Sequence, residues 1–88
     1  MLRGEMDIFN DWWRTKVEPS DWVVTPTTDL YEHYVKYFEK VRPTAAVQPM
    51  PIYEWGVYIT NLFGKATRKR MGGRIRWVRA LVLKEESK

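Results

Sequence analysis

The 88-residue sequence contains no cysteine, and this absence excludes disulfide bridges and thiolate metal sites. Its apolar runs are far too short to cross a membrane, and the N-terminus lacks the apolar block of a signal peptide. We therefore expect a protein that stays inside the cell and has no membrane partner.

Catalytic motifs are missing as well. The sequence has no glycine-rich phosphate loop, no nucleophile elbow, no internal repeat and no pair of acids spaced for acid–base chemistry. His33 is the single histidine, without a second ligand-type residue nearby, and we expect it at the surface or half-buried. The sequence predicts neither an enzyme nor a metal or cofactor site.

Aromatic residues are abundant instead, with five Trp, five Tyr and three Phe. A chain of this length buries only a little more than ~60% of its unfolded surface, so large aromatic side chains must supply much of the core. We expect one domain over residues 1–88, with residues 1–6 and 85–88 frayed.

Two amphipathic helices are predicted in the first half. The first begins at Asp7 as N-cap and ends before Pro19, with apolar positions at Ile8, Phe9, Trp12, Trp13 and Val17. One of the two adjacent tryptophans should lie in the core and the other at its edge, because neighbours on a helix point about 100° apart. The second helix begins at Asp29, with Glu32 completing a capping box, and buries Leu30, Tyr31, Tyr34, Phe38 and Val41.

A third helix is predicted over residues 52–63. Ile52, Trp55, Ile59 and Leu62 recur at helical spacing and form the stripe expected to face the core. Pro51 suits the first turn and Gly64 suits the stop just past the end. Tyr53, Tyr58, Thr60 and Asn61 are left on or near the opposite side, free to contact a partner.

A basic hairpin follows this helix. Gly72-Gly73 suits a two-residue turn between residues 65–70 and a second strand over residues 74–83. Arg74 and Arg76 then share one face of that strand, opposite Ile75 and Trp77. Residues 22–25 are β-prone and predict a third strand, which Pro26 restricts to a sheet edge or strand end. Residues 42–51, with three prolines, are expected to form a partly ordered connector.

Charge is unevenly distributed along the chain. Residues 1–41 carry a net charge of −3 and residues 42–88 a net charge of +7, consistent with the total of +4. Between Lys65 and Lys84 there are eight Lys or Arg and no Asp or Glu. Such a segment favours a polyanionic partner.

Three segments in this order resemble the RFX-type winged helix, and equally the C-terminal winged helix of poxvirus-type primase-helicases of phages and plasmids. They are Leu30-Tyr31-Glu32-His33-Tyr34, Trp55-Gly56-Val57-Tyr58-Ile59 and Thr67-Arg68-Lys69-Arg70 with the strand that ends at Lys84. Trp55 stands where that family has Phe, and Arg76-Trp77-Val78 stands in place of Tyr-His-Tyr. The resemblance implies an α+β winged helix-turn-helix with three helices, a small antiparallel sheet and one basic wing.

Double-stranded DNA binding is the function that this resemblance and the charge favour, in replication or transcription of a virus, plasmid or similar element. Arg74 and Arg76 are candidates for guanine contacts and Asn61 for an adenine contact. The full set of candidate nucleic-acid contacts is Lys65, Thr67, Arg68, Lys69, Arg70, Arg74, Arg76 and Arg79 on the hairpin, and Tyr53, Tyr58, Thr60 and Asn61 on the helix.

Two alternatives stay open. The fold also serves protein interaction, in which the hairpin or first helix docks on an acidic protein or a second copy of the chain. Tyr53 and Tyr58 would stack unpaired bases in a single-strand binder within a primase-helicase, or lie at the rim of the core. The chain suits either a small whole protein or an excised domain, monomeric or homodimeric. Its expected location is cytoplasmic, in the nucleoid or host interior, or nuclear if it is eukaryotic.

Overall fold

The computed structural model describes residues 4–42 and 44–84. In this part of the chain it contains three helices and five short strands. The helices are α1 (Glu5–Lys16), α2 (Thr27–Val41) and α3 (Ile52–Phe63). The strands are β1 (Val17–Pro19), β2 (Thr25–Pro26), β3 (Thr67–Met71), β4 (Arg74–Arg79) and β5 (Leu81–Leu83). The predicted α+β class with three helices and antiparallel strands is therefore confirmed.

Helices α1 and α2 begin earlier than predicted. Gly4 is the N-cap of α1, and Asp7 lies at the third helical position, where its carboxylate accepts the Gly4 amide at 3.2 Å. Pro26 is the N-cap of α2, so Asp29 again lies at the third position. The prediction that Asp7 and Asp29 are N-caps was wrong, and the reason is the same in both helices. An acid in the first turn interacts favourably with the exposed amides from either position.

An aromatic cluster forms the core between the three helices. Phe9, Trp12, Tyr34 and Trp55 are each at most 1% exposed, and neighbouring rings in the cluster lie 5.5–6.4 Å apart, centroid to centroid. This spacing is typical of stabilising aromatic pairs. Trp13 lies half-buried at the rim, edge-on to Phe63, which confirms that the adjacent tryptophans divide between core and edge.

Helix α3 has the predicted bounds, but its buried stripe is narrower than predicted. Trp55 and Ile59 are fully buried, whereas Ile52 is 45% and Leu62 43% exposed. The prediction that Ile52 and Leu62 face the core was therefore wrong, because the neighbouring elements cover only the centre of that face. Gly64 ends the helix at φ 95° and ψ 178°, a backbone conformation restricted to glycine.

The connector between α2 and α3 is anchored at Met50, which is fully buried. Its amide donates to the Tyr34 hydroxyl at 3.0 Å, and its carbonyl accepts the Tyr31 hydroxyl at 2.7 Å. Burial raises the pKa of Tyr34 to about 12. Two tyrosines of α2 thus hold the entry to α3 in place. Pro43, in the same connector, lies outside the described residues.

The strands form two small antiparallel sheets. One has the order β2-β4-β3, and the other pairs β1 with β5. The strand predicted over residues 74–83 is interrupted at Ala80, so that β4 and β5 belong to different sheets. The third strand predicted at residues 22–25 is displaced to Thr25–Pro26. The preceding segment bends instead, and the Trp22 and Val23 amides donate to the Ser20 hydroxyl.

The ends of the chain were expected to fray at residues 1–6 and 85–88. In the structure Gly4 is the N-cap of α1, and Glu5 and Met6 lie in its first turn. The remainder, residues 1–3 and 85–88, lies outside the described residues. In the part that the structure describes, no helix is long and apolar enough to cross a membrane.

Candidate nucleic-acid interface

The β3–β4 hairpin carries most of the candidate residues and is exposed along most of its length. The register pairs Arg68 with Trp77, Lys69 with Arg76 and Arg70 with Ile75. Residues directly opposite each other in an antiparallel pair share a face. One face therefore presents Arg68, Arg70, Ile75 and Trp77, and the other presents Thr67, Lys69, Met71, Arg74 and Arg76.

The hairpin turn is built as the two glycines predict. Gly72 and Gly73 have φ values of 58° and 79°, and Met71 pairs with Arg74 across the turn. Successive positive φ values match a type I′ turn, whose twist agrees with that of the flanking strands. The turn holds Arg70 and Arg74 near the tip of the hairpin.

Five cations of this segment are exposed and have no carboxylate within ion-pair distance among residues 4–42 and 44–84. They are Lys65, Arg68, Lys69, Arg70 and Arg74. Thr67 is exposed beside them. Because like charges close together repel, five such cations on and beside one hairpin favour an anionic partner over bare solvent.

Arg76 is less free than its neighbours. Its guanidinium donates to the Thr28 hydroxyl at 2.9 Å and lies 3.8 Å from the Asp29 carboxylate. Both contacts are at the start of α2. Lys69 lies directly opposite Arg76 on β3. Arg76 therefore ties the hairpin to α2, and contact with a partner must compete with this pairing.

Arg79 is buried at the base of the hairpin, unlike the exposed candidate cations further out. Its side chain is only 7% exposed, and its guanidinium donates to the Gly64 carbonyl at 3.0 Å and to the Thr60 hydroxyl at 3.2 Å. Burial lowers the pKa of Arg79. These bonds link β4 to the end of α3. Thr60 is half-buried and accepts the second of these bonds.

The outer side of α3 is not basic. The helix contains no Lys or Arg and one acid, Glu54. Tyr53 is 75% exposed and Asn61 is exposed, as predicted. Tyr58 is only 36% exposed because its ring packs 5.8 Å from that of Phe9, centroid to centroid, at the rim of the core. The candidate charges therefore lie on the hairpin and not on the helix.

Two residues that were not among the candidates are prominent on the hairpin. Trp77 is 57% and Ile75 is 65% exposed, and the Arg68 guanidinium lies 5.5 Å from the centroid of the Trp77 ring. Strand alternation placed both on the face opposite Arg74, but an apolar residue on a strand normally points to a core. The outer part of this hairpin has no core beneath it, which alternation does not reveal.

No group of three His, Cys, Asp or Glu side chains in the described residues is placed to hold a metal ion. The described site thus consists of cations, hydroxyls and aromatic rings. Comparison of the chain with protein-family models and with curated proteins finds no match.

Proposed function

We propose that this chain is a winged-helix domain that binds double-stranded DNA, with the β3–β4 hairpin as its wing. The observation that carries the proposal is the set of five exposed cations on and beside the wing, without a carboxylate partner among residues 4–42 and 44–84. Duplex DNA carries one negative charge per ~1.7 Å of axis and matches a continuous cationic ribbon.

The wing is the leading contact in this proposal. Lys65, Arg68, Lys69, Arg70 and Arg74 neutralise phosphates and set orientation, and Arg74, at the tip, is also the candidate for a contact with a base edge. Helix α3 has no cation, so it contributes at most neutral contacts through Tyr53 and Asn61.

In the cell, such a domain would serve replication or transcription of a virus, plasmid or similar element. The charge distribution supports the DNA contact itself. The biological setting is carried by the sequence resemblance to RFX-type domains and to the primase-helicase segment.

A second candidate function is protein docking on α3. Ile52, Tyr53, Val57 and Leu62 are between 43% and 75% exposed on this helix. A neutral, apolar helix surface is typical of protein contacts and is unusual against phosphates. The two functions use different elements and can be separated by variants.

The test is a fluorescence-anisotropy titration with a generic duplex and with each of its single strands, at two salt concentrations. We expect tighter binding to the duplex, and we expect the Arg68→Gln/Arg74→Gln variant to weaken it. The Val57→Ser/Leu62→Ser variant, on exposed positions of α3, should leave duplex affinity unchanged. Absence of binding to any strand form at low salt would overturn the proposal and favour protein docking.

A further inference from the structure

A cavity of about 520 Å³, largely open to solvent, lies where the base of the wing meets α3 and the start of α2. Trp77, Ile52 and Ala66 give it apolar walls, while Thr27, Lys65 and Arg79 contribute polar groups. Its volume is within the range of about 300–1,000 Å³ typical of small-molecule sites. Three separate elements build it, so it is a feature of the folded domain.

Two polar atoms of residues lining this cavity lack hydrogen-bond partners. They are the Thr27 hydroxyl oxygen and Nε of Arg79, and both are buried. The Arg79 side chain as a whole is 7% exposed, and its other two nitrogens are already bonded to Gly64 and Thr60. A buried donor without an acceptor destabilises the free protein. A ligand that brings an acceptor to this wall, with a small side-chain adjustment, would remove that cost.

The charge around the cavity selects the class of ligand. Lys65 and Arg79 line it, and none of its described lining residues is acidic. Arg68 lies over the Trp77 ring, on the same face of the wing as Trp77. An aromatic wall next to cations suits a flat heteroaromatic group that carries a negative charge. An apolar peptide would leave Lys65 and the Arg79 donor without a counterpart.

We propose that this cavity receives one unpaired nucleotide of a DNA strand whose duplex part lies on the wing. The base lies against Trp77 and Ile52, its polar edge accepts a hydrogen bond from Nε of Arg79, and Lys65 faces the phosphate. The inference rests on the proposed DNA binding and adds a preference for duplexes with an overhanging or bulged nucleotide.

The experiment compares two duplexes of the same sequence, one blunt and one with a single bulged 2-aminopurine nucleotide. Anisotropy gives both affinities, and 2-aminopurine fluorescence reports stacking. Because stacking of one base on an aromatic side chain is strong, we expect the bulged duplex to bind roughly 5- to 100-fold more tightly, with quenched fluorescence.

Three variants test whether the preference for the bulged duplex depends on this cavity. Trp77→Ala should abolish the preference for the bulged duplex. Ala66→Leu should do the same by filling the cavity while Trp77 stays in place. Ile75→Ala is the matched control, because Ile75 is equally exposed on the same face of β4 but does not line the cavity, and it should keep the preference.

Equal affinities for both duplexes would overturn the cavity assignment while leaving DNA binding by the wing intact. A preference that survives both Trp77→Ala and Ala66→Leu would also overturn it. Loss of all binding would remove the proposed function together with this inference.

Discussion

The salt dependence of duplex binding follows directly from the cations counted on the wing. Each phosphate that a protein neutralises releases counterions and adds about −0.9 to the slope of log affinity against log salt. Five exposed cations without a carboxylate partner among residues 4–42 and 44–84 give a slope of about −4.5. Affinity should then fall about 500-fold between about 50 and 200 mM salt.

Single substitutions test whether these particular charges are responsible. Arg74→Gln should make the slope less steep by about 0.9, because Arg74 is exposed and has no carboxylate partner in the described part of the chain. Arg76→Gln should change it less, since Arg76 is already held by Thr28 and Asp29.

The matched control for these variants is Lys40→Gln, which removes an exposed cation from the last turn of α2. That site lies about 16 Å along the helix axis from Asp29, where the wing attaches. Anisotropy titrations at four or more salt concentrations give the slopes. Equal slopes for Arg74→Gln and the wild type, or equal effects of Lys40→Gln and Arg74→Gln, would refute a defined contact through the wing.

Three further predictions concern stability, measured by urea unfolding. Gly64→Ala should destabilise by about 1–3 kcal/mol because of its glycine-only backbone conformation, whereas Gly56→Ala, inside α3 with open space around the added Cβ, should stabilise slightly. His33→Ala should lower the free energy of unfolding by about 1–3 kcal/mol, because the Trp12 indole N–H donates to His33 Nδ1 at 2.9 Å and would lose its acceptor. An unchanged free energy of unfolding in this variant would contradict the pairing. The pKa of Tyr34 is raised to about 12, so the folded state favours the neutral phenol. The contribution of the Tyr34 phenol to the free energy of unfolding should be complete below about pH 10 and decline above it. Above that pH, the stability of the wild type should therefore fall more steeply than that of Tyr34→Phe.

Helical periodicity predicted the position and type of the longer elements, because burial of one face requires it. Residues 52–63, bracketed by Pro51 and Gly64, form a helix with those bounds, and Gly72-Gly73 forms the predicted turn. Residue exposure was less predictable. Ile52 and Leu62 follow the same spacing as Trp55, yet which positions on a stripe are covered depends on the width of the neighbouring elements.

The role of an individual arginine was the least predictable feature. Arg74, Arg76 and Arg79 differ by a few positions on one strand, but one is exposed, one pairs with the start of α2 and one is buried. What separates them is the distance of each from the body of the domain. Arg79 lies near the Gly64 carbonyl only because the chain folds back after α3. The sequence around Arg79 alone therefore does not predict this contact.

The buried position of Arg79 also affects how the wing functions. A wing that carries four exposed cations, with Lys65 beside it, needs a firm base, and the two bonds from Arg79 to Gly64 and Thr60 supply one from the same strand. Arg76 braces the opposite face against α2. Arg76 and Arg79 thus fix the orientation of the strand that carries Arg74. In the proposed DNA binding, this arrangement presents Arg74 in a defined direction without a cation on α3.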